Sequence, residues 1–124
     1  MAPSFILPLS SPAATAPDRV GPKAANLAAL AQAGLPTPGG FCITADAYHR
    51  QIQHLELGDM IDAYAGADQL AQRRLAVEIR LKLYQSDLAP DVLADVLAAW
   101  WAADKPAAVR SSSLIEDRAD TNFA

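Results

Sequence analysis

The stretch VGPKAANLAALAQAGLPTPGGFCIT, residues 20–44, decides much of the local architecture. Pro22 suits the first position of a helix, because its fixed φ is already helical and its missing N–H would have no partner there. The alanine-rich run after it favours helix over residues 22–33, and Gly34 supplies the left-handed residue that commonly ends one. The sequence therefore predicts a short helix with a defined beginning and end.

On both sides of this helix the sequence predicts short strands joined by turns. Two prolines within residues 35–40 exclude helix there, so this segment is a connector. Phe41–Thr44 is a candidate for a short buried strand, and Thr44 is placed to cap the helix that follows. Phe5–Leu7 lies between prolines and is predicted as an edge strand, whereas Ser10–Pro17 is predicted as a flexible loop.

The middle of the chain is predicted to be helical. One amphipathic pattern covers residues 67–84 and places four apolar side chains on one face, namely Leu70, Val77, Leu81 and Tyr84. A second helix begins at Pro90 and carries an apolar stripe formed by Val92, Leu93, Val96, Leu97 and Trp100. Ala107–Val109 is predicted as a last short strand. The fold class is therefore α+β and α-rich, with a helical bundle beside a few short strands.

Length and composition restrict the classes of protein that this chain can represent. Its 124 residues suffice for one modest core, and its single cysteine, Cys42, excludes an intramolecular disulfide. The net charge of −4 argues against bulk binding to nucleic acid or to an anionic membrane. No apolar run approaches the roughly 20 residues of a membrane span, and the start of the sequence lacks the features of a signal peptide. We therefore expect a cytoplasmic protein.

The first candidate for chemistry is the sequence Gly21-Pro22-Lys23. A lysine in the first turn of a helix opposes the helix dipole, which is mildly unfavourable at an exposed site. A bound anion would reverse the sign, because free N–H groups at the helix start, a glycine that permits close approach and the lysine ammonium would together hold a phosphate. The alternative, which this stretch by itself leaves open, is an ordinary exposed lysine near a helix end.

The second candidate follows the predicted last strand. Arg110 offers a planar set of donors for phosphate oxygens, and the run Ser111–Ser113 adds hydroxyl and backbone donors. Glu116 and Asp117 are placed to orient the arginine or to approach a metal-bound phosphate. The alternative is a polar turn with a surface ion pair, and neither stretch is specific when taken separately.

Taken together, these stretches resemble a known arrangement. Residues 20–27 (VGPKAANL), 34–44 (GLPTPGGFCIT) and 108–117 (AVRSSSLIED), with NFA at residues 122–124, resemble the start of an ATP-binding domain. The domain is that of the phosphoenolpyruvate synthase and pyruvate phosphate dikinase family, which includes the rifampicin phosphotransferases. The family signatures read G-G-K-G/A-x-N-L, then G-L/I/V-P-V-P-P-G-F-x-I/V/L-T-T, then V-R-S-S-x-x-x-E-D followed by F-A-G-Q.

The resemblance implies an ATP-grasp-like nucleotide-binding domain, of which this chain would be the N-terminal part. The signature-bearing blocks would be residues 20–48 and 108–124, on either side of a helical insert at residues 50–105. In the family, the β-phosphoryl group of ATP passes to a histidine on a separate swivelling domain and from there to an acceptor such as pyruvate. By position, Lys23 and Arg110 match residues that contact the ATP phosphates, with supporting positions at Gly21, Ser111, Ser112, Glu116 and Asp117.

Three residues depart from the family pattern. Pro22 and Ala24 replace glycines of the lysine loop, and Gly39 replaces the second proline of the P-P-G-F turn. The sequence also stops at Ala124, inside the F-A-G-Q signature, and the resemblance implies that the Mg²⁺ ligands, the histidine and the acceptor domain lie further along the family's chains. We therefore expect ATP and Mg²⁺ as cofactors of the whole enzyme, and no catalytic residue, metal site or phosphoryl transfer in this chain alone.

Other functions stay open at this stage. A rifampicin-type antibiotic phosphotransferase would share this domain, because the phosphoryl acceptor is chosen by other parts of such a protein. A non-catalytic helical interaction module would have kept the fold and lost the chemistry, with Trp100 and Trp101 at a partner interface. An unpaired edge on the predicted last strand would also favour self-association.

Overall fold

The computed structural model describes residues 5–103 and 107–114 of the chain. Within them, five α-helices and one two-stranded antiparallel sheet form the fold, which confirms the α-rich α+β class. The helices are α1 (Pro17–Gln32), α2 (Ala45–His54), α3 (Gly58–Gly66), α4 (Gln69–Gln85) and α5 (Pro90–Ala103). The strands are β1 (Ile6–Pro8) and β2 (Phe41–Ile43), and a short 3-10 helix spans Pro12–Thr15.

The sheet pairs the two strands that were predicted near the start of the chain. Leu7 of β1 pairs with Cys42 of β2 at the centre of the ladder, and both side chains are buried. A further backbone hydrogen bond of 3.0 Å, from the N–H of Leu9 to the carbonyl of Gly40, lengthens the pairing. The first residues of the chain therefore lie beside the segment that follows α1.

The segment Ser10–Pro17 does not form the loop that was predicted. It contains the 3-10 helix, which begins after Ser11, whose hydroxyl accepts the N–H of Ala13 at 3.3 Å. The side chain of Ala14 is fully buried in the core beneath α1. The prediction was wrong because it considered the polar and proline content of the segment and not this one small apolar contact.

A break divides α1 into two parts. Gly21 has φ +84° and ψ 158° inside the helix, so a first turn at residues 17–20 is followed by a longer segment that begins at Pro22. The predicted start at Pro22 is thus confirmed for the longer segment, whereas the turn before it was not predicted. Gly34, at φ +82°, follows the other end of the helix, as predicted.

The core between the sheet and α1 consists mostly of small side chains. Its buried members are Leu7, Leu9, Ala14, Val20, Ala24, Ala25, Ala28 and Cys42. Alanines on the inner face of α1 allow the helix backbone to approach the sheet closely, and this compensates for the scarcity of large apolar side chains. Burial raises the pKa of the Cys42 thiol, which disfavours the reactive thiolate.

A second cluster joins β1, α2 and α5. Its buried apolar members are Phe5, Ala47, Ala89 and Val92. The buried side chain of Gln51 extends from α2, where its Oε1 accepts the N–H of Ala89 at 2.8 Å and its Nε2 donates to the carbonyl of Asp87 at 3.0 Å. On the exposed side, Arg50 Nε donates to Asp91 Oδ2 at 2.9 Å. The beginning of α5 is therefore attached to α2 by polar as well as apolar contacts.

The two predicted helices of the middle region are confirmed as α4 and α5, but much of their apolar surface is uncovered. The four side chains on the predicted face of α4 are all exposed, by 45–89%: Leu70, Val77, Leu81 and Tyr84. On α5, Val92 is buried, whereas Leu93, Leu97 and Trp100 are exposed. On α4 the half-buried apolar side chains instead include Leu75, Ala76, Ile79 and Leu83, so the face predicted for this helix is an exposed one. On α5 the predicted stripe is covered only at Val92 and Val96.

The predicted last strand is wrong. Residues 107–113 have no regular secondary structure, and the described part of the chain provides them with no partner strand. Val109 is 91% exposed, so a β-prone sequence is present without the neighbouring strand that a stable ladder needs. Self-association through an edge of this segment stays a prediction.

Candidate functional site

The candidate site is built around the break in α1. Gly21 adopts a left-handed φ of +84°, which glycine reaches without the steric penalty that a Cβ brings. A new helix start follows the break, and the first N–H groups of any helix lack intrahelical partners. Gly21 has no side chain with which to cap this start, so the first N–H groups are left to water or to a side chain from another segment.

Ser112 supplies that partner. Its Oγ donates to the carbonyl of Val20 at 2.6 Å and accepts the N–H of Ala24 at 3.2 Å. Ala24 is the third residue of the segment that begins at Pro22, which is a position that a capping side chain normally serves. Ser112, 88 residues further along the chain than Ala24, therefore takes the role of the helix cap.

The backbone at Ser112 also packs directly on Gly21. A Cβ added to Gly21 would overlap the carbonyl oxygen of Ser112 and stand 2.6 Å from its hydroxyl. Gly34 has a similar φ of +82°, yet nothing lies within 4 Å of the Cβ that it lacks. Gly21 thus combines a backbone requirement with a packing requirement, and both exclude a side chain.

This contact brings the two predicted cationic residues to the same part of the molecule. Lys23 is half-buried and lies two residues after Gly21, whereas Arg110 is exposed and lies two residues before Ser112. Ser111, between Arg110 and Ser112, is also exposed. Because both cations are attached to the backbone within two residues of one contact, the arrangement suits a ligand with more than one anionic group.

The helix start offers fewer donors to a phosphate than the sequence suggested. We expected free N–H groups there, but the N–H of Ala24 donates to Ser112 and Pro22 has none. The backbone of Ser112 also occupies the space next to Gly21 that a close-approaching phosphate would need. Any phosphate at this site would therefore depend mainly on side-chain cations.

The partners of Ser112 were not predicted. Val20 and Ala24 contribute only backbone groups, which carry no residue-type signal. The one relevant signal in the sequence is that Gly21 cannot cap the helix that begins at Pro22. A glycine directly before such a start leaves the first N–H groups of the helix to water or to a distant side chain, and the sequence does not distinguish the two.

The first turn of α1 is also fixed to α2. Arg19 Nη2 lies 3.2 Å from Asp46 Oδ2, and the two side chains are 35% and 37% exposed. Thr44 precedes α2 as predicted, and its carbonyl accepts the N–H of Ala47 at 3.0 Å. Its hydroxyl makes no capping hydrogen bond, so the prediction that its side chain caps α2 is wrong.

The two predicted acidic residues, Glu116 and Asp117, lie outside the described residues. Within residues 5–103 and 107–114, no group of three His, Cys, Asp or Glu side chains is arranged to hold a metal ion. In the same ranges, no helix combines the length and the apolar character needed to cross a membrane.

A helix start and a distant arginine segment, joined through one serine, form a site of the class that suits a phosphate-bearing ligand. The sequence model of the family described as pyruvate phosphate dikinase, AMP/ATP-binding domain matches residues 17–124, which include both parts of this site. The chain belongs to this family, as its motifs predicted.

Three relatives are similar to the chain. The phosphoenolpyruvate synthase of Neisseria meningitidis serogroup B is 32% identical over 139 aligned positions, covering 100% of this chain and 18% of the relative. The rifampicin phosphotransferase of Streptomyces sviceus is 36% identical over 113 positions, covering 85% of this chain and 13% of the relative. The prodigiosin synthesizing transferase PigC of Serratia marcescens is 42% identical over 65 positions, covering 52% of this chain and 7% of the relative. The chain therefore spans less than one-fifth of the length of these relatives.

Proposed function

We propose that this chain contributes one wall of the ATP site of a phosphotransferase of the phosphoenolpyruvate synthase type. The observation that carries the proposal is the contact of Ser112 with the break in α1. It joins the segment of Lys23 to the segment of Arg110, and these are the two segments that bear the family signatures. In this role the Lys23 ammonium and the Arg110 guanidinium bind the phosphates of ATP.

The Lys23 and Arg110 side chains differ in how they can bind phosphate. A guanidinium presents a planar fork that matches two oxygens of one phosphate, whereas an ammonium acts as a compact point charge. The net charge of −4 gives the chain no general attraction for a polyanion, so binding depends on these local cations. The positions Gly21, Ser111, Ser112, Glu116 and Asp117 support them.

In the whole protein, the proposed reaction passes the β-phosphoryl group of ATP to a histidine on a separate domain and then to an acceptor such as pyruvate, while AMP leaves and water takes the γ-phosphoryl group as inorganic phosphate. When bound, Mg²⁺ neutralises phosphate charge. Its ligands, the histidine and the acceptor site belong to other parts of an ATP-grasp-like enzyme that acts in the cytoplasm. The residues of this chain bind and orient the phosphates and by themselves transfer no phosphoryl group.

An antibiotic phosphotransferase of the rifampicin type is a second candidate. It is favoured by the 36% identity to the Streptomyces sviceus enzyme over 85% of this chain. The two candidates share the ATP site and differ in the acceptor. Assays of the whole protein with pyruvate and with rifampicin, each in the presence of ATP and Mg²⁺, distinguish them by which acceptor becomes phosphorylated.

Titration of the chain with ATP and Mg²⁺, followed by ³¹P NMR, tests the site. Lys23→Ala and Arg110→Ala should each weaken binding roughly tenfold or more, because a hydrogen bond to a charged group contributes about 1.5–3 kcal/mol. Lys82→Ala and Arg80→Ala remove exposed cations of α4 and should leave the affinity unchanged. Tight binding that survives both site substitutions, or equal losses in the two controls, would contradict the assignment.

A further inference from the structure

The hydroxyl of Ser112 has no proton left for a phosphate. A serine hydroxyl carries one donor and two acceptor sites. Its donor is used on the carbonyl of Val20 at 2.6 Å, and one acceptor site is used on the N–H of Ala24 at 3.2 Å. A phosphate oxygen needs a donor, so Ser112 could bind it only by giving up the contact with Val20. The geometry therefore argues against a direct role in nucleotide binding.

The segment that carries Arg110 depends on contacts of this kind. Residues 107–113 belong to no helix or strand of the described structure, and Arg110 itself is exposed. Regular backbone pairing therefore does not fix the position of the guanidinium. Ser112, two residues away, attaches the segment to both sides of the break in α1 through two hydrogen bonds.

We propose that Ser112 is a positioning residue for Arg110. By capping the helix segment that carries Lys23, it sets the guanidinium beside the ammonium, so that both bind one polyphosphate. The inference rests on the proposed function, since it assumes that these two cations bind the phosphates of ATP. It adds that the alignment of the two cations is set by a helix cap from a distant segment and not by either cation's own element.

Gly21 is also needed to keep Ser112 in position. The carbonyl of Ser112 occupies the place where any other residue at position 21 would have its Cβ. A side chain at Gly21 would therefore displace the backbone of Ser112, and loss of the Ser112 hydroxyl would release the cap. Both changes move Arg110 relative to Lys23 without removing either charge.

Three roles for Ser112 lead to different effects on binding. A direct phosphate ligand would contribute independently of Arg110. A residue that only stabilises the fold would reduce the amount of folded protein and leave the affinity of the folded fraction unchanged. Loss of a positioning residue removes the contribution of Arg110 selectively, because the guanidinium is still present but is no longer held near the phosphates.

The experiment measures the affinity of the chain for ATP and Mg²⁺ by ³¹P NMR in single and double variants. Ser112→Ala should weaken binding about tenfold, similar to Arg110→Ala. Adding Arg110→Ala to Ser112→Ala should then change the affinity little, whereas adding Lys23→Ala should weaken binding further. Ser112→Thr keeps the hydroxyl and should recover much of the lost affinity.

Amide hydrogen exchange gives an independent measurement that needs no nucleotide. The N–H of Ala24 should exchange about fivefold faster in Ser112→Ala, since a helix cap contributes about 1 kcal/mol. Asp68→Ala is the matched control, because Asp68 caps α4 by accepting the N–H of Ala71 at 2.9 Å. It should speed exchange at Ala71 and leave the affinity for ATP unchanged.

Several outcomes would overturn the inference. A full additional loss from Arg110→Ala in the Ser112→Ala background would make Ser112 an independent ligand. If the N–H of Ala24 exchanged at the same rate in Ser112→Ala as in the unaltered chain, Ser112 would not be the cap of this helix segment. If the unaltered chain binds ATP and Ser112→Ala binds it equally well, the positioning role of Ser112 is contradicted while the proposed function stands. Absence of binding by the unaltered chain contradicts the proposed function, and the positioning role fails with it.

Discussion

The helix α4 and the segment of α1 that starts at Pro22 begin in opposite ways. Asp68, directly before α4, accepts the N–H of Ala71 at 2.9 Å, so that start is completed by its own neighbour. The segment from Pro22 follows Gly21, which cannot cap it, and relies on Ser112 from 88 residues away. The first cap can form before the rest of the molecule folds. The second exists only when the distant segment is in place, and it lies at the candidate site.

The start of α5 shows a third arrangement. Ala89 precedes Pro90 and has no capping group, and its N–H is accepted by Gln51, 38 residues earlier in the chain. Gln51 is buried in the packed cluster between α2 and α5, whereas Ser112 is half-exposed. A distant partner in the core mainly stabilises the fold, while a distant partner near the surface can set the position of a functional segment.

The largest expected effect separates the two requirements placed on Gly21. Gly34→Ala introduces a Cβ at φ +82° with open space around it, which should lower the free energy of unfolding by about 1 kcal/mol. Gly21→Ala has a backbone cost at least as large, because φ +84° and ψ 158° lie in a region essentially restricted to glycine. It also displaces Ser112 with its two hydrogen bonds, so we expect a loss of about 3 kcal/mol. Urea unfolding of the two variants measures the difference. Equal losses would mean that the contact with Ser112 contributes nothing.

The buried cap of α5 comes next. Gln51→Leu removes the acceptor of the Ala89 N–H and the donor to Asp87, and leaves a buried polar group unpaired. The free energy of unfolding should fall by about 2 kcal/mol. Gln53→Leu, an exposed position on the same helix, is the control and should change it little. Since Gln51 stabilises the fold and not the site, the affinity of the folded chain for ATP should remain unchanged. A loss of affinity in Gln51→Leu without a loss of stability would show that the buried partner also acts on the site.

The local cap should have a smaller and confined effect. Asp68→Ala deprives the N–H of Ala71 of its partner, at a cost of about 1 kcal/mol. Residue-resolved amide exchange should show faster exchange at the start of α4 only. If exchange also rose at Ala24, the starts of the two helices would be coupled, and the contrast between a local and a distant cap would not hold.

Features determined by local chemistry could be predicted from the sequence. Pro22, Pro90 and Gly34 restrict φ covalently or permit a left-handed residue, and the helix boundaries that they indicated are present. The apolar pattern of Phe41–Ile43 likewise identified a real strand. Such signals act within a few residues, so they do not depend on how the chain folds back.

Features that depend on distant partners could not be predicted in the same way. Val109 is β-prone, yet no neighbouring strand in the described structure allows a ladder to form there. The resemblance to a family linked the segments of Lys23 and Arg110, but nothing in three consecutive serines distinguishes Ser112 from Ser111 and Ser113. The choice is made by the backbone groups that Ser112 meets, and these exist only in the folded molecule.

The smallest expected effect concerns the exposed ion pair beside the cap of α5. The hydrogen bond from Arg50 holds the pKa of the Asp91 carboxyl below its usual value. Because this pKa is lower in the folded state than in the unfolded state, the pair stabilises the fold above the usual pKa, and this stabilisation is lost as the pH falls through the lowered one. Water and salt weaken the pair, so the change in stability should be slight.

Titration of the Asp91 carboxyl carbon by NMR measures this effect directly. In Arg50→Gln the pKa should return toward its usual value, since the largest cause of the shift is removed. Arg80→Gln removes an exposed cation of α4 and should leave the pKa of Asp91 lowered. If Arg50→Gln also left it lowered, the backbone hydrogen bond from Val92 would be the dominant cause. The charge on Asp91 would then be stabilised by the start of its own helix and not by a residue of α2.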